Sequence, residues 1–344
     1  MDQDETFEKI GRREMLGRTL AGAAAGGAVL GGVGVPSALA AEKLTYVTPF
    51  RYLVAFSPVM NAQSGGYFAK QGFDAKVLGG TGSASALQQL IGGRAKFTRT
   101  SSIDIIKAIS NQNVPLVAIS TMAQGSVFNV VSPANKPINT PQEMKGKKIG
   151  VVSVGGGTEN LLNMMLAQAG IDPKSVTRQA VGNSPGAYGL VKQGRIDAYI
   201  ISVGSVIALE KMGEKINYWS TDKYAPNPSQ VYVCTKATAD KEPETVVRFL
   251  KAIKGSVDEI VTGDRGKILD RMVKDFDVIG AKRRAITLAS LDAEIKLWFS
   301  QGKDNLMRNV PSLWKSAQEL SAKVGIGKID NIEAVYTNSF MDKV

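Results

Sequence analysis

The chain contains no histidine and only one cysteine, and these two absences remove much of ordinary enzyme chemistry. Histidine is the commonest general base and a frequent zinc ligand, so its absence excludes the usual serine triads and most zinc sites. Cys234 cannot form a disulfide within the chain, and its apolar surroundings at residues 231–234 favour a buried thiol over a nucleophile. The composition therefore argues against an enzyme, and we expect neither a catalytic residue nor a metal or cofactor.

Long basic blocks with interleaved aromatic side chains are also missing, although the chain is basic overall. It has 42 Lys and Arg against 31 Asp and Glu, a formal net charge of +11, and the charges are spread along its 344 residues. Nucleic acid is therefore not an expected partner, whereas an anionic small molecule is compatible with this charge. The 44% apolar content and the length allow two packed domains.

Residues 1–40 differ from the rest of the chain. Arg12 and Arg13 precede an uncharged run rich in Ala and Gly, and that run ends in the small residues at 38–40. This pattern predicts a twin-arginine export signal that is cleaved after Ala40. A transmembrane anchor is the alternative, but the run has few large apolar side chains. With no cysteine near the cut for lipid attachment, we expect a free protein in the periplasm.

The rest of the first half alternates between short apolar runs and helical patterns. Strands are predicted at 43–47, 75–78 and 96–100, and helices at 60–70, 84–91 and 103–110, with Ser83 as a helix cap. Such alternation is typical of right-handed βαβ units around a parallel sheet. The sequence therefore predicts an α/β protein.

A glycine loop stands between an apolar run and an amphipathic helix at residues 141–170. Residues 149–152 predict a buried strand, the loop at 153–158 holds three consecutive glycines, and the following helix stops at Gly170. Backbone N–H groups and a helix N-terminus at one point suit an anion, although an ordinary tight turn is equally compatible. No Lys-Ser or Lys-Thr follows the glycines, so the loop is not a P-loop.

One strand unit recurs about a hundred residues later. Residues 93–101 align without gaps on residues 194–202: each copy has a Gly-Arg pair, a strand and a closing serine. The match predicts two similarly built lobes. The apolar segments 114–120 and 127–132 could carry the chain across, and residues 226–235 could carry it back. After residue 237, helices are predicted at 244–260, 265–274, 281–299, 311–324 and 333–341, packed on the first lobe and the hinge.

Five short motifs, taken in order, support a family resemblance. They lie at residues 65–73, 93–97, 143–151, 194–198 and 228–233. The chain resembles the periplasmic substrate-binding proteins of ABC transporters for nitrate, sulfonate, taurine and related compounds, a group also similar to the thiamine-pyrimidine precursor synthases. This resemblance implies a two-lobed periplasmic-binding-protein type II fold. Each lobe would be a mixed, mainly parallel sheet flanked by helices, with a helical C-terminal region.

The resemblance also implies where the lobes divide and where a ligand binds. Lobe 1 would comprise residues 41–128 and 231–344, and lobe 2 residues 129–230. The lobes would close on a ligand by hinge motion, with the ligand at the carboxyl ends of strands from both sheets. The glycine loop would then be the part of lobe 2 that closes on the ligand.

Arg99 is the main candidate for contact with that ligand. A charged side chain at the end of a buried strand is costly unless it is paired, and a carboxylate or sulfonate would pair with it. The alternative is an internal ion pair with an acid in the cleft, such as Asp104 or Glu159. Arg51, in the first strand-to-helix loop, is a second candidate. Further candidate donors at element ends, any of which could instead be a helix cap, are Thr81, Ser83, Ser101, Ser102, Ser153, Gly156, Thr158, Asn183 and Ser202.

The function predicted from these features is that of an exported, monomeric solute-binding protein of an ABC importer. It would capture a small organic anion, a sulfonate or a carboxylate with or without an aromatic ring, and present it to the transmembrane subunits of a permease. A pyrimidine-precursor-binding protein is the alternative. An enzyme or a sensor on the same fold is less favoured. The resembling synthases are associated with an active-site histidine and a cysteine-rich motif, and this chain has no histidine and only one cysteine.

Overall fold

Two five-stranded sheets form the framework of residues 41–344, the part of the chain that this computed structural model describes. The predicted export signal at residues 1–40 lies outside the described residues, and it stays a prediction. In the part described, no helix combines the length and the apolar character that a membrane crossing requires.

The ten strands divide between the sheets by their place in the chain. They are β1 (Glu42–Val47), β2 (Phe73–Leu78), β3 (Phe97–Thr100), β4 (Leu116–Ala123), β5 (Phe128–Pro133), β6 (Lys148–Val151), β7 (Thr177–Ala180), β8 (Ala198–Ser202), β9 (Ile216–Ser220) and β10 (Gln230–Thr235). The first sheet has the order β2-β1-β3-β10-β4, and the second has the order β7-β6-β8-β5-β9. Only β10 and β5 run antiparallel to their neighbours, so both sheets are mixed and mainly parallel, as predicted.

Helices flank both sheets and dominate the C-terminal third of the chain. They are α1 (Ser57–Ser64), α2 (Tyr67–Lys70), α3 (Ser83–Ile91), α4 (Ser102–Gln112), α5 (Gly157–Gln168), α6 (Tyr188–Lys192), α7 (Val203–Lys211), α8 (Lys236–Lys241), α9 (Pro243–Thr262), α10 (Arg265–Asp275), α11 (Arg284–Trp298) and α12 (Pro311–Lys323). The long helix α9 covers the first sheet, and its Phe249 ring stacks on Phe97 of β3 at a centroid distance of 4.1 Å.

Two of the predicted helices are wrong. The helix predicted over 60–70 is broken into α1 and α2 because Gly66 takes a φ of +73°, a conformation that glycine adopts without a Cβ clash. The helix predicted over 333–341 is replaced by short 3₁₀ turns. Between those turns, Tyr336 pairs with Ala118 of β4, so contact with the sheet overrides the local helical pattern.

The predicted repeat is present in both sheets. The two Gly-Arg turns lead into β3 and β8, which occupy the same central position beside β1 and β6. Ser101 directly follows β3 and Ser202 is the last residue of β8, and the two serines are the N-caps of α4 and α7. The two serines therefore stand at equivalent carboxyl ends of the two sheets.

Two short connections join the sheets. Residues 124–127 lead from β4 to β5, and residues 221–229 lead from β9 to β10. The segments predicted as crossings, 114–120 and 127–132, are largely the strands β4 and β5 themselves, because their runs of buried side chains belong in sheet interiors. The connections are tied together by the Asp222 carboxylate, which accepts from the Ser126 N–H at 2.8 Å.

Candidate functional site

A cavity of about 50 Å³ lies between the two sheets at the carboxyl ends of their central strands. We call it the interlobe cavity. Seven of the predicted site residues line it. Three belong to the first sheet and its helices, and the other four belong to α5 or to loops and strand ends of the second sheet. In that order they are Ser83, Arg99 and Ser101, and then Thr158, Ser153, Asn183 and Ser202. The repeated strand-to-serine unit places Arg99, Ser101 and Ser202 there, because both copies end at this edge.

Arg99 is the most strongly buried cation on the cavity wall, with only 2% of its surface exposed. Its Nη2 donates to the Ala55 carbonyl at 2.9 Å. The guanidinium lies over the Phe56 ring at 4.7 Å from the centroid and near the Tyr232 ring at 5.9 Å. Its Nε has no hydrogen-bond partner among the described residues. One carbonyl and two aromatic faces stabilise the charge only in part, so the group retains capacity for an oxyanion.

Asp104 and Glu159, the two acids named as alternative partners of Arg99, form no ion pair with it within the described residues. Asp104 instead accepts from Thr100 Oγ1 and from Asn160 Nδ2, both at 2.7 Å. Glu159 lies 3.7 Å from Arg178 Nε and also accepts from the Gly155 N–H. Both carboxylates are thus committed elsewhere, and the prediction that either could neutralise Arg99 is wrong.

Besides Asp104, a second acidic residue lines the cavity with Arg99, namely Glu294 of α11. Its side chain is buried, with 2% exposed, and its Oε1 has no hydrogen-bond partner in the described part of the chain. Burial raises the pKa of Glu294 to about 7, while the Arg99 guanidinium and the Gly204 backbone N–H act in the opposite direction. The carboxyl group therefore titrates near neutral pH.

The glycine loop contacts the opposite lobe through one of its backbone N–H groups. Gly157, the first residue of α5, donates its N–H to Ser83 Oγ at 2.9 Å. Ser83 is thus not the N-cap of α3, a position held by Gly82. Thr158 Oγ1 is also engaged, since it accepts from the Val152 N–H at 2.9 Å. In this arrangement the Gly157 N–H serves contact between the lobes, and the Thr158 hydroxyl oxygen is engaged within its own lobe.

Asn183 and Ser202 form a second polar cluster on the wall contributed by the second sheet. Asn183 Oδ1 accepts from the Ser202 N–H at 2.8 Å, and its Nδ2 donates to Ser202 Oγ at 3.1 Å. Ser205 Oγ donates to the Asn183 carbonyl at 3.0 Å. These bonds fix the loop at residue 183 against the start of α7, which gives the cavity a rigid polar wall.

Four predicted site residues are not among the cavity's lining residues. Arg51 has a side chain that is 59% exposed, and it faces Asp277 at 3.6 Å. Thr81 is exposed and pairs with Phe50 in an isolated bridge. Ser102 is fully buried and donates to Asn227 Oδ1 at 3.4 Å, while Gly156 caps α5. A ligand contact for these four stays a prediction.

A larger, open groove of about 1,090 Å³ adjoins the cavity, and we call it the outer groove. Arg51, the segment at residues 269–287 and the start of α7 line it. Four residues line both spaces: Leu53, Ala55, Ser202 and Glu294. The outer groove is therefore the natural route from solvent to Glu294 and Arg99.

The lobes are in close contact around the cavity. Asn160 of α5 donates to Asp104 of α4, and Ser290 of α11 donates to the Gly204 carbonyl of α7 at 2.7 Å. Small-molecule sites commonly measure about 300–1,000 Å³, so a cavity of about 50 Å³ suits only a few ligand atoms. A larger ligand needs the lobes to separate or needs to extend into the outer groove.

Sequence reasoning missed Glu294 and Gln230, which complete the cavity wall. It assigned the C-terminal helices to the first lobe and the hinge, whereas α11 also packs on α7 of the second sheet. A signal was available, because Glu294 lies in register with the buried Leu291 and Trp298 of α11. A carboxylate on the buried stripe of a helix is uncommon and often marks a functional site.

A metal site has no support in residues 41–344. There, no group of three or more Asp, Glu or Cys side chains is arranged to hold a metal ion.

A family model described as NMT1/THI5 like matches residues 54–263 of the chain, which include β2 to β10 and most of the cavity wall. Among similar proteins is a 4-amino-5-hydroxymethyl-2-methylpyrimidine phosphate synthase of Saccharomyces cerevisiae. It is 24% identical over 237 residues, which are 65% of this chain and 68% of the yeast protein. A formylaminopyrimidine-binding protein of Halalkalibacterium halodurans is 26% identical over 198 residues, 55% of this chain and 58% of that protein.

A solved structure shows the same two-lobed fold. The alkanesulfonate-binding protein of Xanthomonas axonopodis pv. citri, bound to MOPS, superposes with a TM-score of 0.65 and 14% sequence identity. The match covers 86% of this chain and 98% of that protein. The described residues thus adopt a periplasmic-binding-protein fold.

Proposed function

Because the chain belongs to the NMT1/THI5-like family, we propose that it is the solute-binding protein of an ABC importer. In this proposal it captures a small organic anion, a sulfonate or a carboxylate, in the interlobe cavity and delivers it to the transmembrane subunits of a permease. It would be exported through the twin-arginine pathway and would act in the periplasm as a monomer.

Arg99 is the observation that carries the anion proposal. Burying a guanidinium costs several kcal/mol unless charge or hydrogen bonds compensate, and its partners here leave Nε without an acceptor. An oxyanion entering the cavity would meet this donor together with the polar groups of the opposite wall. Sulfonate and carboxylate oxygens both suit the planar, multiple donors of arginine.

The two connections between the sheets support capture by closure. Residues 124–127 and 221–229 are the short links between two sheets that otherwise touch through side chains and loops. Hinge closure around a ligand is a common motion of such two-lobed proteins. The contacts from Gly157 to Ser83 and from Ser290 to Gly204 would form in the closed state.

A pyrimidine precursor is the second candidate ligand, because the curated relatives are named as acting on or binding pyrimidines. We further propose that the chain is not an enzyme, although the yeast relatives are named as synthases. The full sequence has no histidine, and burial raises the pKa of Cys234, its one thiol, to about 12, which makes that thiol inert near neutral pH.

A thermal-shift panel tests the proposed function. The purified chain is heated with sulfonates, carboxylates, nitrate and pyrimidines. Each compound is added at a concentration one hundred times an assumed dissociation constant. A true ligand at that ratio adds about 2.7 kcal/mol to the free energy of unfolding. For a chain of this length that is a rise in Tm of roughly 4 °C.

Two variants show whether Arg99 carries the binding. Arg99→Ala should abolish the shift, whereas Arg94→Ala, which removes the same charge from an exposed turn, should keep it. A shift produced by neutral pyrimidines alone would replace the anion proposal with the second candidate. An undiminished shift in Arg99→Ala would show that Arg99 is structural.

A further inference from the structure

Three residues that line the interlobe cavity each carry a buried polar atom without a hydrogen-bond partner. Arg99 Nε is a donor, and Glu294 Oε1 and Gln230 Oε1 are acceptors, and each lacks a hydrogen bond within the described residues. All three side chains are more than nine-tenths buried. Buried polar groups are nearly always paired in folded proteins, so unpaired ones at a cavity indicate partners supplied by a ligand.

The balance of these atoms differs from that of a simple anion site. An anion such as nitrate, acetate or an alkanesulfonate offers acceptors to Arg99, but it has no hydrogen to give to Glu294 or Gln230. Placed beside an ionised Glu294, it would also meet a like charge at close range. A head group that offers a donor as well as an acceptor satisfies both walls.

We infer that Glu294 is a specificity-determining residue that selects ligands with an N–H donor, an ammonium or an amino-heterocycle nitrogen, beside the acceptor held by Arg99. This inference rests on the proposed function of the same cavity. It assigns a ligand role to helix α11, which lies outside the residues matched by the family model.

The electrostatics of Glu294 agree with this role. Burial raises its pKa to about 7, and the Arg99 guanidinium and the Gly204 N–H offset that only in part. An N–H donor from the ligand would add to these two and would favour the ionised carboxylate. The rest of the ligand can extend past Glu294, since the outer groove of about 1,090 Å³ begins there.

Matched ligand pairs test the inference in the unmodified chain. The pairs are 2-aminoethanesulfonate with ethanesulfonate, β-alanine with propionate, and 4-aminopyrimidine with pyrimidine. In each pair only one member carries the N–H donor, and affinities are measured by isothermal titration calorimetry at pH 7.5. We expect the donor-bearing member of the best-binding pair to bind at least tenfold more tightly.

A variant then assigns the preference to Glu294. Glu294→Met keeps the side-chain length and removes the acceptor, so the preference should fall below threefold. Glu319→Met, at an exposed position of α12, is the matched control and should keep the full preference. If Glu294→Met does not fold, the affinities of the ligand pairs for the unmodified chain alone test the inference.

The outcomes separate the inference from the function beneath it. Equal binding of both members of the best-binding pair overturns the inference and leaves the proposed function standing. A full preference retained in Glu294→Met also overturns it. Binding of neither member in any pair overturns the proposed function and the inference with it.

Discussion

Replacing Glu294 with Gln should make the ligand-free protein more stable above neutral pH. The glutamine keeps the shape of the side chain and cannot ionise. Burial raises the pKa of Glu294 to about 7 from an ordinary value of 4.5, so the folded protein holds this proton more tightly than the unfolded chain does.

The direction of the pH effect follows from that difference. Below about pH 4.5 the group is protonated in both states and contributes nothing. Between about 4.5 and 7 the unfolded chain releases the proton first, so the free energy of unfolding falls by about 1.4 kcal/mol per pH unit. Above pH 7 the loss levels off at about 3 kcal/mol, the product of that slope and the pKa difference.

Urea denaturation followed by circular dichroism measures this loss. The free energies of unfolding of the wild type and of Glu294→Gln are compared from pH 4.5 to pH 8.5. The variant should gain about 3 kcal/mol over the wild type across this range. Glu319→Gln, which removes an exposed carboxylate from α12, controls for net charge and should show a nearly flat difference.

Either of two results would refute the reasoning. A difference between Glu294→Gln and wild type that stays constant with pH would show that Glu294 is not held in its neutral form by burial. A variant that loses stability as the pH rises would show the reverse of the expected linkage. The ionised carboxylate would then be well paired, and Arg99 is the cation in position to do so.

Two further predictions concern closure and the thiol. Gly157→Ala should weaken ligand binding about tenfold without unfolding the protein. The added Cβ would lie 3.1 Å from an Asp104 carboxylate oxygen across the cleft. In the control Gly189→Ala the added Cβ meets nothing within 4 Å, so that variant should bind the ligand normally. Equal affinities of the two variants in a titration would show that the lobes do not close this tightly. Cys234 is buried and its pKa is raised to about 12, so a thiol reagent at pH 8 should label it only after unfolding, and rapid labelling of the folded chain would contradict its placement.

The order of strands and helices could be predicted because strands and helices produce characteristic patterns of apolar residues over short stretches of sequence. Short local strand patterns predicted β1, β3 and β6 to within about two residues. The recurring Gly-Arg turn predicted that Ser101 and Ser202 would occupy equivalent strand ends. Because these signals depend on a few neighbouring residues, they can be recognised without knowledge of the tertiary structure.

The partners of the site residues could not be predicted in the same way. Asp104 and Glu159 were the acids named as alternative partners of Arg99, but the cavity that Arg99 lines also holds Glu294, which comes from α11 near the end of the chain. Ser83 was expected to cap its own helix, but it accepts from Gly157 of the other lobe. Both contacts depend on how segments far apart in the chain pack together, and local sequence patterns do not predict such contacts.

The energetics of the cleft make closure sensitive to a ligand. The hydrogen bonds from Gly157 to Ser83 and from Ser290 to Gly204 join the lobes, and each contributes a net stabilisation of about 0.5–1.5 kcal/mol. Burying Glu294 costs about 3 kcal/mol above neutral pH, which is similar to the sum of those two bonds. The ionised carboxylate therefore opposes the contacts between the lobes above neutral pH, and a ligand that pairs with Glu294 and Arg99 removes that opposition. In the proposed site, the two residues that select the ligand thus also make closure depend on its presence.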